Sequence, residues 1–213
     1  VFMANNPYGS KEYQQHFPLE KVAMAFPGAA GVIKNGVVHY TIVNSFMQPT
    51  TVGSTTANQE KLVKNIAGMF KKAKFSVSIC KDMDSWMLNH AGLICPLTNA
   101  VYFAQGTSTE AAKNKTAMLT MAQALKEAFR FLHRSKQHRI APPKLKIFVY
   151  TPTLVLRLAL SAAYRTKQVK AMMPDYTSHS QTEMSLLSDE FATIAEKEGY
   201  SMEKYRLLST AHI

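Results

Sequence analysis

The sequence predicts an α/β segment followed by an all-helical segment. Three observations carry this. The first ~80 residues contain short runs of strand periodicity, a hairpin signal and one amphipathic helix. From Asp82 onward helical spacing dominates and no convincing strand follows. Hydrophobic residues make up 46% of the 213 and charged residues 18%, the composition of a globular core and not of a disordered chain.

Val1–Ala4 reads as the end of a buried strand, with further N-terminal sequence expected ahead of it. Asn5-Asn6-Pro7-Tyr8-Gly9 is a turn-forming cluster. A strand that ends in a polar Asn/Gly loop is where open α/β sheets place ligands; an ordinary turn explains the same residues. Lys11–Phe17 can form a short helix that Pro18 stops. Val22–Phe26 is a second strand. The small residues Pro27 to Gly31 could let a backbone approach a ligand, although they form no GxGxxG motif. Asn35-Gly36 marks a hairpin between Val32-Ile33 and Val37–Val43. Gln48–Thr56 reads as a polar loop, Asn58–Lys72 as a helix and Phe75–Cys80 as a strand.

The stretch Asp82–Ala104 reads as a buried central helix. Asp82 and Asp84 suit its N-terminus. Trp86, His90, Leu93, Leu97 and Val101 share one face, and Met87, Ala91, Ile94 and Cys95 make the other side apolar as well. Asn89, His90, Thr98 and Asn99 are polar groups within it that need partners if dry. Pro96 removes a backbone donor near the middle, where a kink is expected. Such a helix serves equally as a cleft wall or as a core helix with locally satisfied polar groups.

Glu110–Ser135 reads as one long helix with a basic end. Lys144–Tyr150 and a segment from Pro152 to about Tyr164 follow as helices. Residues 174–179 read as a loop, Ser180–Gly199 as a helix and Ser201–Ala211 as a last helix capped by Ser201.

Net charge is +11 with a pI near 9.6, a surface that attracts anions. No zinc finger, RNP-type aromatic pair or GXXG clamp is present, so no nucleic-acid partner is expected. The most apolar run, Ile147–Tyr164, contains Pro152 and Arg157 and is shorter than the ~20 residues of a membrane span, so no membrane partner is expected either. Cys80 and Cys95 lie in apolar contexts. They read as reduced thiols of a cytoplasmic protein, and no metal-ligand spacing occurs.

The succession of Asn5-Asn6-Pro7-Tyr8-Gly9, AFPGAAGVIKNGVVHYTIV, QPTTVG, FSVSICKDMDSWMLNH, PLTNAVY, PPKL and a late Thr-Glu-Met helix resembles the ketopantoate reductase family, NADPH-dependent 2-dehydropantoate 2-reductases and relatives. The resemblance implies a partial Rossmann-like nucleotide-binding domain over residues 1–81, its glycine-rich motif lying before the first residue. An all-helical dehydrogenase C-terminal domain over residues 82–213 would supply the catalytic groups. It implies hydride transfer to a 2-oxo acid or related small carbonyl substrate, with NADP as cofactor and NAD left open.

The family's asparagine near the nicotinamide falls on Asn6, and its late-helix glutamate on Glu183. Its catalytic lysine would fall near Met87 or Leu88, and two asparagines on Ala91 and Cys95, so the active site departs from the family pattern. A cation or acid must meet the charge that develops on the carbonyl oxygen. His90 is the nearest substitute on the same helix, its unperturbed pKa of ~6.5 suiting proton donation. Asn89 and Asn99 are the substrate-binding candidates, and Glu183 would orient the acid. A homodimer through the helical domain would use its Met- and aromatic-rich surface. The alternative is a non-catalytic relative that keeps the scaffold for binding or regulation.

Overall fold

The computed structural model describes residues 1–13, 15–43, 45, 48–56, 58–173 and 178–210. They form two compact units, Val1–Met87 and Leu88–Ile213.

The first unit is built on a three-stranded mixed sheet. β1 (Ala23–Phe26) runs antiparallel to β4 (Thr50–Ser54), and β4 runs parallel to β5 (Val77–Cys80). Between them β2 (Ala29–Lys34) and β3 (Val37–Ile42) form a separate hairpin. Its turn is Asn35-Gly36, both at positive φ (51° and 76°), as a two-residue hairpin loop requires. The helix α1 (Glu60–Lys72) connects β4 to its parallel neighbour β5, making a βαβ unit.

Side chains of β1 alternate between two cores. Ala23 and Ala25 join Val52, Val63 and Ile66 on the α1 side. Met24 joins Val22, Met83, Trp86 and Met87 on the other, where the Phe26 ring lies tilted at 5.4 Å from Trp86.

The first unit departs from the expected elements at several places. Val1 is 60% exposed, and Phe2 makes only an isolated parallel bridge to Met24, so no buried strand stands there. Of the expected helix at 11–17, Lys11 and Glu12 close a single 3-10 turn, Gly9–Glu12, and residue 14 lies outside the described residues. The expected polar loop at 48–56 contains β4, the central and buried strand. Its threonines are β-branched and suit a pleated surface. Thr50 hides its hydroxyl by accepting from the Gly28 N–H at 3.0 Å. Gly28 admits backbone, not a ligand: a Cβ there would lie 2.5 Å from the Gln48 carbonyl oxygen.

The second unit is helical. α2 (Met83–Phe103) enters it from the first unit with Pro96 inside. The single helix expected over Glu110–Ser135 is two, α3 (Ser108–Lys113) and α4 (Lys115–Arg134). Asn114 ends the first in an extended conformation (ψ 100°) and caps the second. Its Oδ1 accepts from the N–H groups of Thr116 and Ala117. α5 (Ile147–Tyr150), α6 (Thr153–Ala163) and α7 (Lys167–Met172) follow. α8 (Ser178–Lys197) begins two residues early, and residues 174–177 of the expected loop lie outside the described residues.

α9 (Glu203–Thr210) starts too late for Ser201 to cap it; Ala211 lies outside the described residues. Its first-turn N–H groups, on Lys204 and Tyr205, donate to the Glu127 carboxylate of α4 at 2.9 Å each. The core of this unit runs through Leu88, Cys95, Met121, Phe129, Phe131, Phe191 and Tyr205. No helix among the described residues is long and apolar enough to cross a membrane.

Candidate functional site

In the first unit a crevice of about 420 Å³ opens at the carboxyl ends of the parallel strands β4 and β5. That is where open α/β sheets bind ligands, because side chains there diverge and strand-to-helix turns expose backbone groups. Ser54, Thr55 and Thr56 leave β4 along one side; Lys81, Asp82, Met83 and Asp84 lead from β5 into α2 on the other; Glu60 opens α1.

Each wall is braced. Gln59 is buried, accepts from the Thr55 N–H at 2.7 Å and donates to the Val22 carbonyl at 2.7 Å, which fixes the turn after β4. Gly53 lets α2 begin close to the sheet, since a Cβ there would lie 2.6 Å from the Met83 Cβ. Asp82 caps α2 by accepting from the Ser85 N–H at 3.0 Å. With three carboxylates to one ammonium in its lining, the crevice suits hydroxyl and amide donors better than a phosphate.

Asn6 stands in the same unit and is buried. Its Oδ1 accepts from the N–H groups of Tyr8 (2.9 Å) and Gly9 (3.1 Å), and its Nδ2 donates to the Gly9 carbonyl and to Glu12. It folds the 6–12 loop on itself. That loop is fastened to the start of α2 where Asp84 accepts from the Ser10 N–H (2.8 Å) and hydroxyl (2.7 Å).

The other expected residues belong to the second unit. Asn89 is fully buried and donates to the Arg139 carbonyl at 2.6 Å. His90 keeps some surface, yet its ring is enclosed, and desolvation lowers its pKa to about 4. The ring is therefore neutral near pH 7 and offers an N–H hydrogen bond, not the imidazolium that the unperturbed value implies.

Asn99 donates to the Ser188 hydroxyl of α8 at 2.9 Å, and Ser188 in turn donates to the Met184 carbonyl. Cys95 joins Ser188 and Tyr205 in this network, and the Tyr205 hydroxyl donates to the Ala91 carbonyl at 3.2 Å. Burial, and to a lesser degree the charges of Glu183 and Glu190, push the Cys95 thiol up to about 11. It is a neutral structural thiol.

Glu183 lies exposed on α8, five residues before Ser188. Asn99, with its partner Ser188, lies about 14 Å along the axis of α2 from Asn89 and His90, and Glu183 stays exposed on α8.

Sequence reasoning missed Gln59, Ser10 and Ser188. Only Ser188 left a signal, a hydroxyl at the buried helical spacing of Met184, Leu187 and Phe191. Met87 and Leu88, where a lysine was sought, are buried at 2% and 0% exposure. Among the described residues no three His, Cys, Asp or Glu side chains are grouped to hold a metal ion.

No protein-family model matches the chain, and no curated protein matches it in sequence. Solved structures do match in fold. A complex of D-mandelate dehydrogenase with NADH superposes with a TM-score of 0.70 at 10% identity, over 99% of this chain and 68% of that one. The ternary structure of D-mandelate dehydrogenase with NADH and anilino(oxo)acetate gives 0.66 at 10% identity, over 96% of this chain and 62% of that one. This chain therefore spans about two thirds of those proteins. The likeness is one of fold: the carboxyl-terminal part of a Rossmann-like domain followed by a helical domain, as the sequence predicts.

Proposed function

We propose that this chain serves a nicotinamide dinucleotide-dependent oxidoreductase that reduces a small 2-oxo acid or related carbonyl compound. The observation that carries the reading is its fold, matched over nearly the whole chain to NADH-bound dehydrogenase structures. The crevice at the carboxyl ends of β4 and β5 supports it. NADP is the cofactor that the family resemblance implies. The acidic lining beside β4 and β5 argues that any 2′-phosphate is held elsewhere.

Hydride transfer from a bound dihydronicotinamide places negative charge on the carbonyl oxygen. A neutral imidazole can polarise such an oxygen by hydrogen bonding, without being the formal acid. His90 takes that role, with Asn89 beside it. Asn99 acts at a distance, about 14 Å along α2, by fastening α8 through Ser188, and Glu183 on that helix is left to meet a polar group of the substrate. A second reading, binding without turnover, is favoured by the buried Met87 and Leu88 at the positions of the family lysine.

Thermal melts of the intact protein with NADPH and NADH, then turnover with a panel of 2-oxo acids, separate the two. A hundredfold excess over Kd stabilises by about 2.7 kcal/mol. A shift together with turnover that falls at least a hundredfold in His90→Ala supports catalysis. A shift without turnover supports the second reading. No shift with either nucleotide refutes both.

A further inference from the structure

Residues 128–174 contain ten Lys and Arg and no Asp or Glu, leaving 15 cations to 14 acids in the rest of the chain. Almost the entire net charge of +11 thus sits on one stretch, from the second half of α4 through α7. Arg130, Arg134, Lys146, Arg165, Lys167 and Lys170 are among its exposed cations.

The same stretch exposes apolar surface in register. On α6 the outward residues are Leu154, Val155, Leu158, Ala159 and Ala162, spaced i, i+1, i+4, i+5 and i+8, a helical stripe with no polar member. Leu154, Val155 and Leu158 are 60%, 53% and 56% exposed, while Leu156 on the opposite side is buried in the core. The turn before it adds Ile147 and Tyr150, also exposed. The Tyr150 ring stands edge-on to His133 at 5.8 Å. On α4, Arg130 and Arg134 share a helical face with His133. The apolar turn that leads into α6 and the basic face of α4 therefore adjoin at Tyr150 and His133.

We propose that this face docks on an anionic lipid surface. Lys and Arg stems reach anionic headgroups while Leu154, Leu158 and their neighbours enter the acyl boundary, with the helix in the interface plane. α6 is 11 residues long, far short of a span. The absence of a spanning run, from which no membrane partner was expected, does not bear on surface docking. A second copy would set the same cations against one another. Nucleic acid rewards aromatic stacking and phosphate contacts and gains little from exposed leucines. Protein interfaces are depleted in Lys, and their strongest contacts seldom fall on Leu or Val. The proposal does not depend on the oxidoreductase reading.

The test is co-sedimentation of the 213-residue chain with phosphatidylcholine vesicles, with and without phosphatidylserine, across a salt series. Binding only to the anionic vesicles, weakening as salt rises, is expected. Arg134→Gln with Lys146→Gln should weaken it about thirtyfold. Leu154→Ser with Leu158→Ser should weaken it at least tenfold and leave the salt slope unchanged. All four positions are exposed, and melting curves confirm the fold; if one pair melts early, the other pair decides. No binding, equal binding to neutral vesicles, or full binding by the leucine pair would overturn the proposal. So would duplex DNA or RNA displacing the vesicles at matched salt, which would identify a nucleic-acid surface.

Discussion

Gly53→Ala tests how the crevice is built. Gly53 sits in the central strand β4, paired with Met24 and Cys80. An added Cβ would lie 2.6 Å from the Met83 Cβ, 2.9 Å from its sulfur and 3.0 Å from the Cys80 carbonyl oxygen. Carbon atoms prefer about 3.5–4.0 Å, so the start of α2 or the strand must shift by roughly an ångström. Overpacking of that kind costs about 1–3 kcal/mol, against about 0.4–1 kcal/mol returned by stiffening the unfolded chain. The net loss is about 1–2 kcal/mol, or about 2–8 °C in Tm for a chain of this size.

The single tryptophan, Trp86, is buried in the same core as Met83, so its fluorescence in a urea titration reports on this unit. Gly68→Ala is the matched control. A Cβ there meets nothing within 4 Å, and Gly68 lies inside α1, so the change should stabilise by about 0.5–1 kcal/mol. Dinucleotide affinity should fall in the first variant and hold in the second. If Gly53→Ala proves as stable as Gly68→Ala, the close approach of α2 to the sheet is wrong.

Asn114→Ala removes the cap of α4 and should cost about 1 kcal/mol, read from the thermal midpoint; an unchanged midpoint would mean that the junction is held by packing alone. His90, with a folded pKa of about 4 against an unfolded value near 6.5, binds fewer protons when folded. Stability present above pH ~6.5 is therefore lost as pH falls toward 4, by about 3 kcal/mol from this residue. Proton NMR of the ring follows it directly, and a midpoint near 6.5 would contradict the burial. Cys95, held neutral and fully buried, should resist a thiol reagent until the chain unfolds, while the half-buried Cys80 reacts slowly in the native state. Two thiols of equal native reactivity would show that the network around Ser188 opens.

Much of the architecture was legible because its signals are local. Asn35-Gly36 dictates a hairpin through the positive φ both residues tolerate. The apolar periodicity from Trp86 to Val101 requires a buried helix whichever partners it finds. The change from strand to helix character near Asp82 is a change of period. β4 was illegible for the opposite reason. Thr50, Thr51, Gly53 and Ser54 are loop residues by composition, and only pairing with β1 and β5 on both sides makes them a central strand.

The site divides along the same line. Residue types named His90, Asn89, Asn99, Glu183 and Asn6 as polar groups worth explaining, and they could go no further. Burial decides that His90 is neutral. The packing of α8 on α2 decides that Asn99 meets Ser188, 89 residues away in sequence. Adjacent parallel strands decide where a crevice opens. Periodicity and turn chemistry act within a few residues and so are written in the order of the chain. Protonation states, hydrogen-bond partners and cavities depend on segments that meet only after folding, and there the sequence alone is silent.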